Sequence, residues 1–278
     1  MTPANTLRVG IAGLGRLGKR HAELLRFRAR GATLVSACSP VPAERVWARN
    51  ELGVNSLHED FNRFVRDPQI DAVVLVTPTT LHADQAIAAR QAGKHVFIEK
   101  PLALGVENCQ RVETVARQHP GQVAMVGFVR RFDPSYARAQ AEIASGAIGR
   151  PFMVSSQTCD RNDPDGFFVR FAPTSGGIFM DCSVQGVDLA RWMLGRPRAT
   201  RVFASGTIAI HEGLRLMAMS TTASPSSSSR AASVPCSTPR APLPTATTRR
   251  PRSWARRASA WWARARRATT PSPAMPAA

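Results

Sequence analysis

Three groups of residues in this chain have types and spacings suited to chemistry. Gly13-Leu14-Gly15-Arg16-Leu17-Gly18 is G-x-G-x-x-G. Glu99-Lys100-Pro101 sets a carboxylate beside an ammonium directly after the apolar run HVFI. Asp181 and Gln185 lie four apart in GGIFMDCSVQGVDLARWMLG, on one face of a predicted helix. The glycine pattern suits pyrophosphate. Gly13 permits a tight turn, Gly15 lets the backbone approach the ligand, and Gly18 allows close helix–strand packing. A helix opening there offers free N–H groups and partial positive charge to an anion; the plain alternative is a Gly-rich structural turn. A lysine at a strand end could hydrogen-bond a substrate hydroxyl and help move its proton as hydride leaves for a nicotinamide. For Glu99 and Lys100 the alternative is a structural ion pair.

The elements that must position these groups follow from pattern. LRVGIA is a short apolar run, as a buried parallel strand would be, and it enters the glycine turn. Leu17, Leu24 and Leu25 then fall at helical spacing. ATLVSACS, DAVVLVTP, HVFIEKP and QVAMVGF read as further strands, and LHADQAIAARQAG and ENCQRVETVARQH as helices between them. Strands alternating with helices indicate a doubly wound parallel sheet through residue 124, a Rossmann arrangement. Beyond it the texture changes. SYARAQAEIASGAIG reads as a helix, PFMVSSQT as a strand, DRNDPDGF as a polar loop, and RATRVFASGTIAI as the start of one more strand. The fold class expected is α/β, with residues 1–124 as the dinucleotide domain and 125–212 as the first part of an incomplete α+β substrate domain with an open sheet.

Composition narrows the field. The formal charge is +18 at pH 7, which suggests nucleic acid. Its distribution argues otherwise. Eleven of the 37 basic residues and none of the 19 acids lie in 213–278, which leaves 26 bases against 19 acids in 1–212. The charge is mostly a property of the tail, and no nucleic-acid partner is expected. The five cysteines are scattered without a CxxC pair, so neither a zinc site nor a disulfide framework is indicated. No metal is expected. No apolar run approaches the roughly 20 residues that span a bilayer. A cytoplasmic protein without a membrane partner is the expectation.

The dinucleotide is less determined. NAD-binding Rossmann domains place an Asp or Glu about 20 residues past the glycines, on the ribose 2′-hydroxyl. This chain has Ser39 there, in ACSPVPAER. Ser39 with Arg16 or Arg45 nearby could tolerate a 2′-phosphate. NAD is favoured and NADP remains open.

The segments GLGRLGKRHAELL, TPTTLHADQAIAARQAGKHVFIEKPLAL, GFVRRFDPSYARAQAEIASGAIGRP and SGGIFMDCSVQGVDLARWMLG together resemble the Gfo/Idh/MocA oxidoreductases, over about residues 6–212. RRFD and DRN look most like the inositol dehydrogenase branch. The resemblance implies NAD(P)-dependent oxidation of a secondary alcohol on a sugar or cyclitol, often in a homotetramer. It implies that Lys100 is the catalytic lysine. It also implies that Thr77, Pro78 and His82 line the nicotinamide side, and that Arg130 and Asn162 contact substrate. The implied cofactor set is then Gly13, Gly15, Arg16, Leu17, Gly18, Ser39, Thr77, Pro78, His82, Glu99 and Lys100. The family usually carries D-x-x-x-H, whose histidine is the general base. Here that position is Gln185, and an amide does not accept and release a proton near neutral pH. Two readings follow. Either Lys100 and Asp181 carry the proton while Gln185 orients substrate, or the chain is a catalytically impaired NAD(P)-binding relative.

Residues 213–278 are rich in Ser, Thr, Pro, Arg and Ala, a composition that favours disorder. Read one base early, this stretch permits strings such as V-D-N-G-V-A-V-V and H-G-H-D-T-T-T-E-V-V-G, which look like a continuing sheet. A change of reading frame near Gly213 to Leu216 is therefore expected.

Overall fold

The computed structural model describes residues 6–156, 158 and 166–204. Six parallel strands form one sheet: β1 Leu7–Ala12, β2 Ala32–Cys38, β3 Ser56–His58, β4 Ala72–Leu75, β5 His95–Ile98 and β6 Ala124–Val126. Their order is β3-β2-β1-β4-β5-β6, the arrangement of two mononucleotide-binding halves that meet between β1 and β4. The register runs Val9 beside Ala72 to Ala12 beside Leu75, so the central strands end level. Ligands of such sheets bind just beyond those ends.

Helices α1 Arg16–Phe27, α2 Pro42–Leu52, α3 Phe61–Val65, α4 Thr79–Gln91 and α5 Val106–Gln118 cover the two faces. Strand period decides which side chain goes where. Val73 and Leu75 pack with Ala83, Ala86, Ala89 and Val112 of α4 and α5. Ala72 and Val74 pack with Ala22, Ala48 and Leu52 of α1 and α2. The alanines of α4 let that helix lie close to the sheet. Phe64 is fully buried under β1, and its truncation to alanine would cost about 3–5 kcal/mol. Two buried cations tie off main-chain carbonyls at the rim. Lys94 Nζ donates to the Ile70 oxygen at 2.6 Å, and Arg90 Nη2 to the His119 oxygen at 2.5 Å.

The regular elements in the rest of the described chain are helical. A 3₁₀ turn at Val129–Phe132 leads into α6 Pro134–Ala144, whose N-terminus is capped by Asp133. Helix α7 Phe167–Ser175 ends at Gly176, and a π-helical turn at Phe179–Ser183 runs on into α8 Val184–Met193. Arg131 clamps the 3₁₀ turn to α8 with two bonds to Asp188, at 2.7 and 2.6 Å.

Two sequence expectations fail here. PFMVSSQT forms no strand over 151–156, and 198–204 form none either. A strand needs a partner for its ladder, and the described residues of this part supply none. Phe152 is 88% exposed and Phe203 87%. Asn162, with the rest of 159–165, and all of 205–278 lie outside the described residues.

Candidate active site and cofactor turn

The glycine turn has the geometry its pattern requires. Gly13 has φ +90°, and a Cβ there would stand 2.4 Å from the Val76 oxygen. A Cβ on Gly18 would stand 2.0 Å from the Gly13 oxygen. Both positions exclude a side chain. A Cβ on Gly15 would meet nothing within 4 Å. Gly15 is also the N-cap of α1 and provides no side-chain cap. The first amides of the helix therefore face open space beside a backbone that a ligand can approach. These residues fit the pyrophosphate of a dinucleotide. Gly13 N–H donates to the Cys38 oxygen at 2.9 Å, and Val76 N–H to the Ala12 oxygen at 2.9 Å. The turn is thus pinned between β2 and β4. Arg16 and Leu17 are exposed on it, and the Arg16 guanidinium lies 5.5 Å from the ring centre of Phe167 on α7. That ring stacks on Phe171 at 5.5 Å.

Lys100 stands two residues past the end of β5. Its Nζ donates to the Asp181 main-chain oxygen at 2.7 Å and to Asp181 Oδ1 at 2.7 Å. Both side chains are 20% exposed, so the pair is reachable from solvent. Asp181 sits in the π turn, an irregularity that is frequent at functional sites. Gln185 follows in α8, and its Oε1 is buried without a hydrogen-bond partner. An unpaired buried acceptor costs about 1–3 kcal/mol.

Glu99 is tied to two neighbours inside the protein. Its Oε1 pairs with His21 Nε2 at 2.8 Å, and its Oε2 accepts from the Lys100 N–H at 3.1 Å. It links α1 to the lysine. His82 is 1% exposed. Its ring bridges the Pro101 and Thr77 main-chain oxygens, each at 2.8 Å. It braces the two loops behind the site. The Thr77 hydroxyl donates to Gln85 at 2.6 Å, while Pro78 is exposed as the N-cap of α4. Arg130 bonds Ser156 and Thr158, at 3.1 and 2.5 Å. Ser39 is buried, with a hydroxyl 2.5 Å from Glu44 Oε2. The sequence reading missed His21, Glu44 and the Arg131–Asp188 clamp. A helical position three after Gly18 was the available signal for His21, and the acid in the first turn of α2 that for Glu44. Asp188 carried no signal beyond its charge. Cys38, Cys109 and Cys182 are free thiols, and burial pushes Cys38 up to about 12. Among the described residues no group of three His, Cys, Asp or Glu could hold a metal, and no helix is long and apolar enough to cross a membrane.

A parallel β3-β2-β1-β4-β5-β6 sheet, a G-x-G-x-x-G turn with an uncapped helix behind it, and a lysine–aspartate pair at its mouth define a protein of the dinucleotide-binding Rossmann class. Residues 7–128 match the oxidoreductase family model with an NAD-binding Rossmann fold, and residues 136–233 match the C-terminal domain model of the same family. The chain belongs to the Gfo/Idh/MocA family. It is 41% identical over 189 residues to the scyllo-inositol 2-dehydrogenase (NAD(+)) of Bacillus subtilis, a match covering 68% of this chain and 54% of that protein. It is 33% identical to the myo-inositol 2-dehydrogenase of Thermotoga maritima, over 74% of this chain and 60% of that one. The scyllo-inositol dehydrogenase of Lactobacillus casei, solved with NAD(H) and scyllo-inositol, superposes with a TM-score of 0.65 at 42% identity, over 68% of this chain and 56% of that one. The chain spans a little over half the length of these relatives. The C-terminal match runs past residue 212, where the sequence resemblance was placed to end.

Proposed function

We propose that this chain is an NAD-dependent dehydrogenase that oxidises a secondary alcohol of a cyclitol, with an inositol as substrate. The observation that carries this reading is the bond from Lys100 to Asp181, which brings a cation from the NAD-binding match and a carboxylate from the C-terminal match to the mouth of the sheet. A bound nicotinamide would supply the hydride acceptor. An ammonium has three donors. Lys100 uses two on Asp181, and the third is left for the reacting oxygen, where it stabilises charge as the hydroxyl proton departs. The Asp181 carboxylate receives that proton. Gln185 Oε1 accepts from a second substrate hydroxyl and orients the ring. Arg130 and Asn162 belong to the substrate side of the same reading. Thr77, Pro78 and His82 belong to the nicotinamide side, with Pro78 exposed at the surface and His82 acting from behind. A homotetramer and a cytoplasmic location are part of the same proposal. The test is turnover of scyllo- and myo-inositol by mass-verified full chain, followed by nicotinamide absorbance.

A specific observation supports the second reading, an impaired NAD(P)-binding relative. Gln185 stands at the position of the family histidine, and an amide is no base. Tight NAD binding without turnover of any inositol would select that reading. The change of reading frame near Gly213 to Leu216 belongs to both, since it removes the residues that would complete the second sheet. It is supported by a tail without Asp, Glu or Lys from 213 onward. DNA read across codons 210–240 from an independent template decides it, an interval that covers the end of the C-terminal family match at residue 233.

A further inference from the structure

Strand β2 ends without the acid that reads a ribose. The structure brings one there from the next helix. Ser39 follows Cys38, whose oxygen takes the Gly13 N–H, so Ser39 lies beside the glycine turn. Its hydroxyl accepts from the Val41 N–H at 3.1 Å and donates to Glu44 Oε2 at 2.5 Å. Glu44 lies in the first turn of α2, where the helix dipole favours an anion. Among the described residues its other oxygen, Oε1, accepts no hydrogen bond. The nearby cations are already engaged, Arg45 at the Ser39 main chain itself. Arg45 donates to the Ser39 oxygen at 2.6 Å and pairs with Glu59 at 3.2 Å, while Arg16 lies over Phe167.

We infer that Glu44, held by Ser39, is the residue that selects NAD over NADP. One carboxylate oxygen is fixed by the serine. The other accepts from the 2′-hydroxyl of the adenosine ribose, and the charge repels a 2′-phosphate. Serine at the strand end is then a device for placing a longer acid, and it gives no room to a phosphate. The inference rests on the dinucleotide reading of the glycine turn.

Binding tests it without any need for turnover. The full chain is titrated with NAD and with NADP by calorimetry. The wild type binds NAD at least about tenfold tighter, the worth of one charge-assisted bond. E44Q keeps an acceptor but loses the charge, and its preference for NAD falls about tenfold. S39A frees the carboxylate and weakens NAD without improving NADP. E51Q, the same charge change at the far end of α2, leaves the preference where it was. An unchanged preference in E44Q with an intact melting transition overturns the inference, as does a wild type that binds both dinucleotides alike. A wild type that binds neither removes the dinucleotide reading itself, and the inference with it.

Discussion

Lys100 and Asp181 are 81 residues apart in sequence, and Lys100 Nζ is 2.7 Å from Asp181 Oδ1. The lysine comes from the end of a Rossmann strand and the aspartate from a π turn in the following part of the chain. Neither group is buried enough to be a core ion pair, and each leaves capacity for a ligand. D181N keeps the shape and a hydrogen-bond acceptor but removes the proton acceptor. It should lower kcat by about 10²–10⁴ while NAD affinity holds. K100M should do the same to kcat and cost about 1–3 kcal/mol of stability, because two oxygens of Asp181 lose their donor. Stopped-flow turnover paired with calorimetric NAD titration separates these effects. Equal losses in binding and rate would assign the pair to folding.

Gln185 is the position where rate and stability should part. Its Oε1 has no partner inside the protein, so Gln185→Met removes no internal bond from that oxygen, relieves an unpaired buried acceptor and should hold or raise the melting temperature. KM for an inositol should rise about tenfold, because a substrate hydroxyl loses its acceptor. Gln185→His restores a group that titrates near pH 6.5. Its pH–rate profile should gain an inflection in that range that the wild type lacks. A melting loss in Gln185→Met would show that the amide is a structural group.

The glycine turn, the lysine and the alternation of strands and helices were legible because each is local. Gly13 and Gly18 are dictated by clashes within one strand–turn–helix unit, and a run such as AVVL reads as a buried strand wherever it stands. Relations across the sheet were not legible. Nothing in the spacing of His21 and Glu99 says that their side chains meet, and nothing in ACSPVPAER says that Glu44 folds back onto Ser39. Helix α7 was not legible: the polar stretch DRNDPDGF runs up to its first residue, and Pro173 interrupts the helical pattern beyond it. PFMVSSQT has the β-branched and aromatic content of a strand, yet propensity alone does not make one. A ladder partner decides it, and sequence pattern does not show where partners lie.

His21 should matter to the rate although it touches no substrate atom. It fixes Glu99, and Glu99 in turn accepts from the Lys100 N–H. His21→Ala frees the carboxylate and lets the lysine backbone drift, and small misplacement of a catalytic group is costly. kcat should fall about tenfold with KM for the inositol nearly unchanged. His21→Gln can still donate to Glu99 and should recover most of the loss. Failure of glutamine to rescue, with both variants equally folded, would remove His21 from the positioning role.

The first strand carries a pH dependence of its own. Asp71 is held at about 2, first by the hydrogen bond from the Arg8 side chain, against desolvation, with help from the Arg8 N–H and charge. The contacts are Nη2 to Oδ1 at 2.6 Å, Nε to Oδ2 at 3.0 Å and the main-chain N–H to Oδ2 at 2.9 Å. An unfolded aspartate titrates near 3.9. The folded state therefore binds fewer protons between those values, so the pair stabilises the fold above about pH 4. That contribution is lost as pH falls from about 4 to about 2. The two side chains are 47% and 34% exposed, so screening keeps the effect modest and salt reduces it. Asp71→Asn should melt below the wild type at pH 6 and approach it at the acid end of that window. A gap between the two melting curves that stays constant from pH 6 to the acid end would show that the ion pair contributes nothing through its charge.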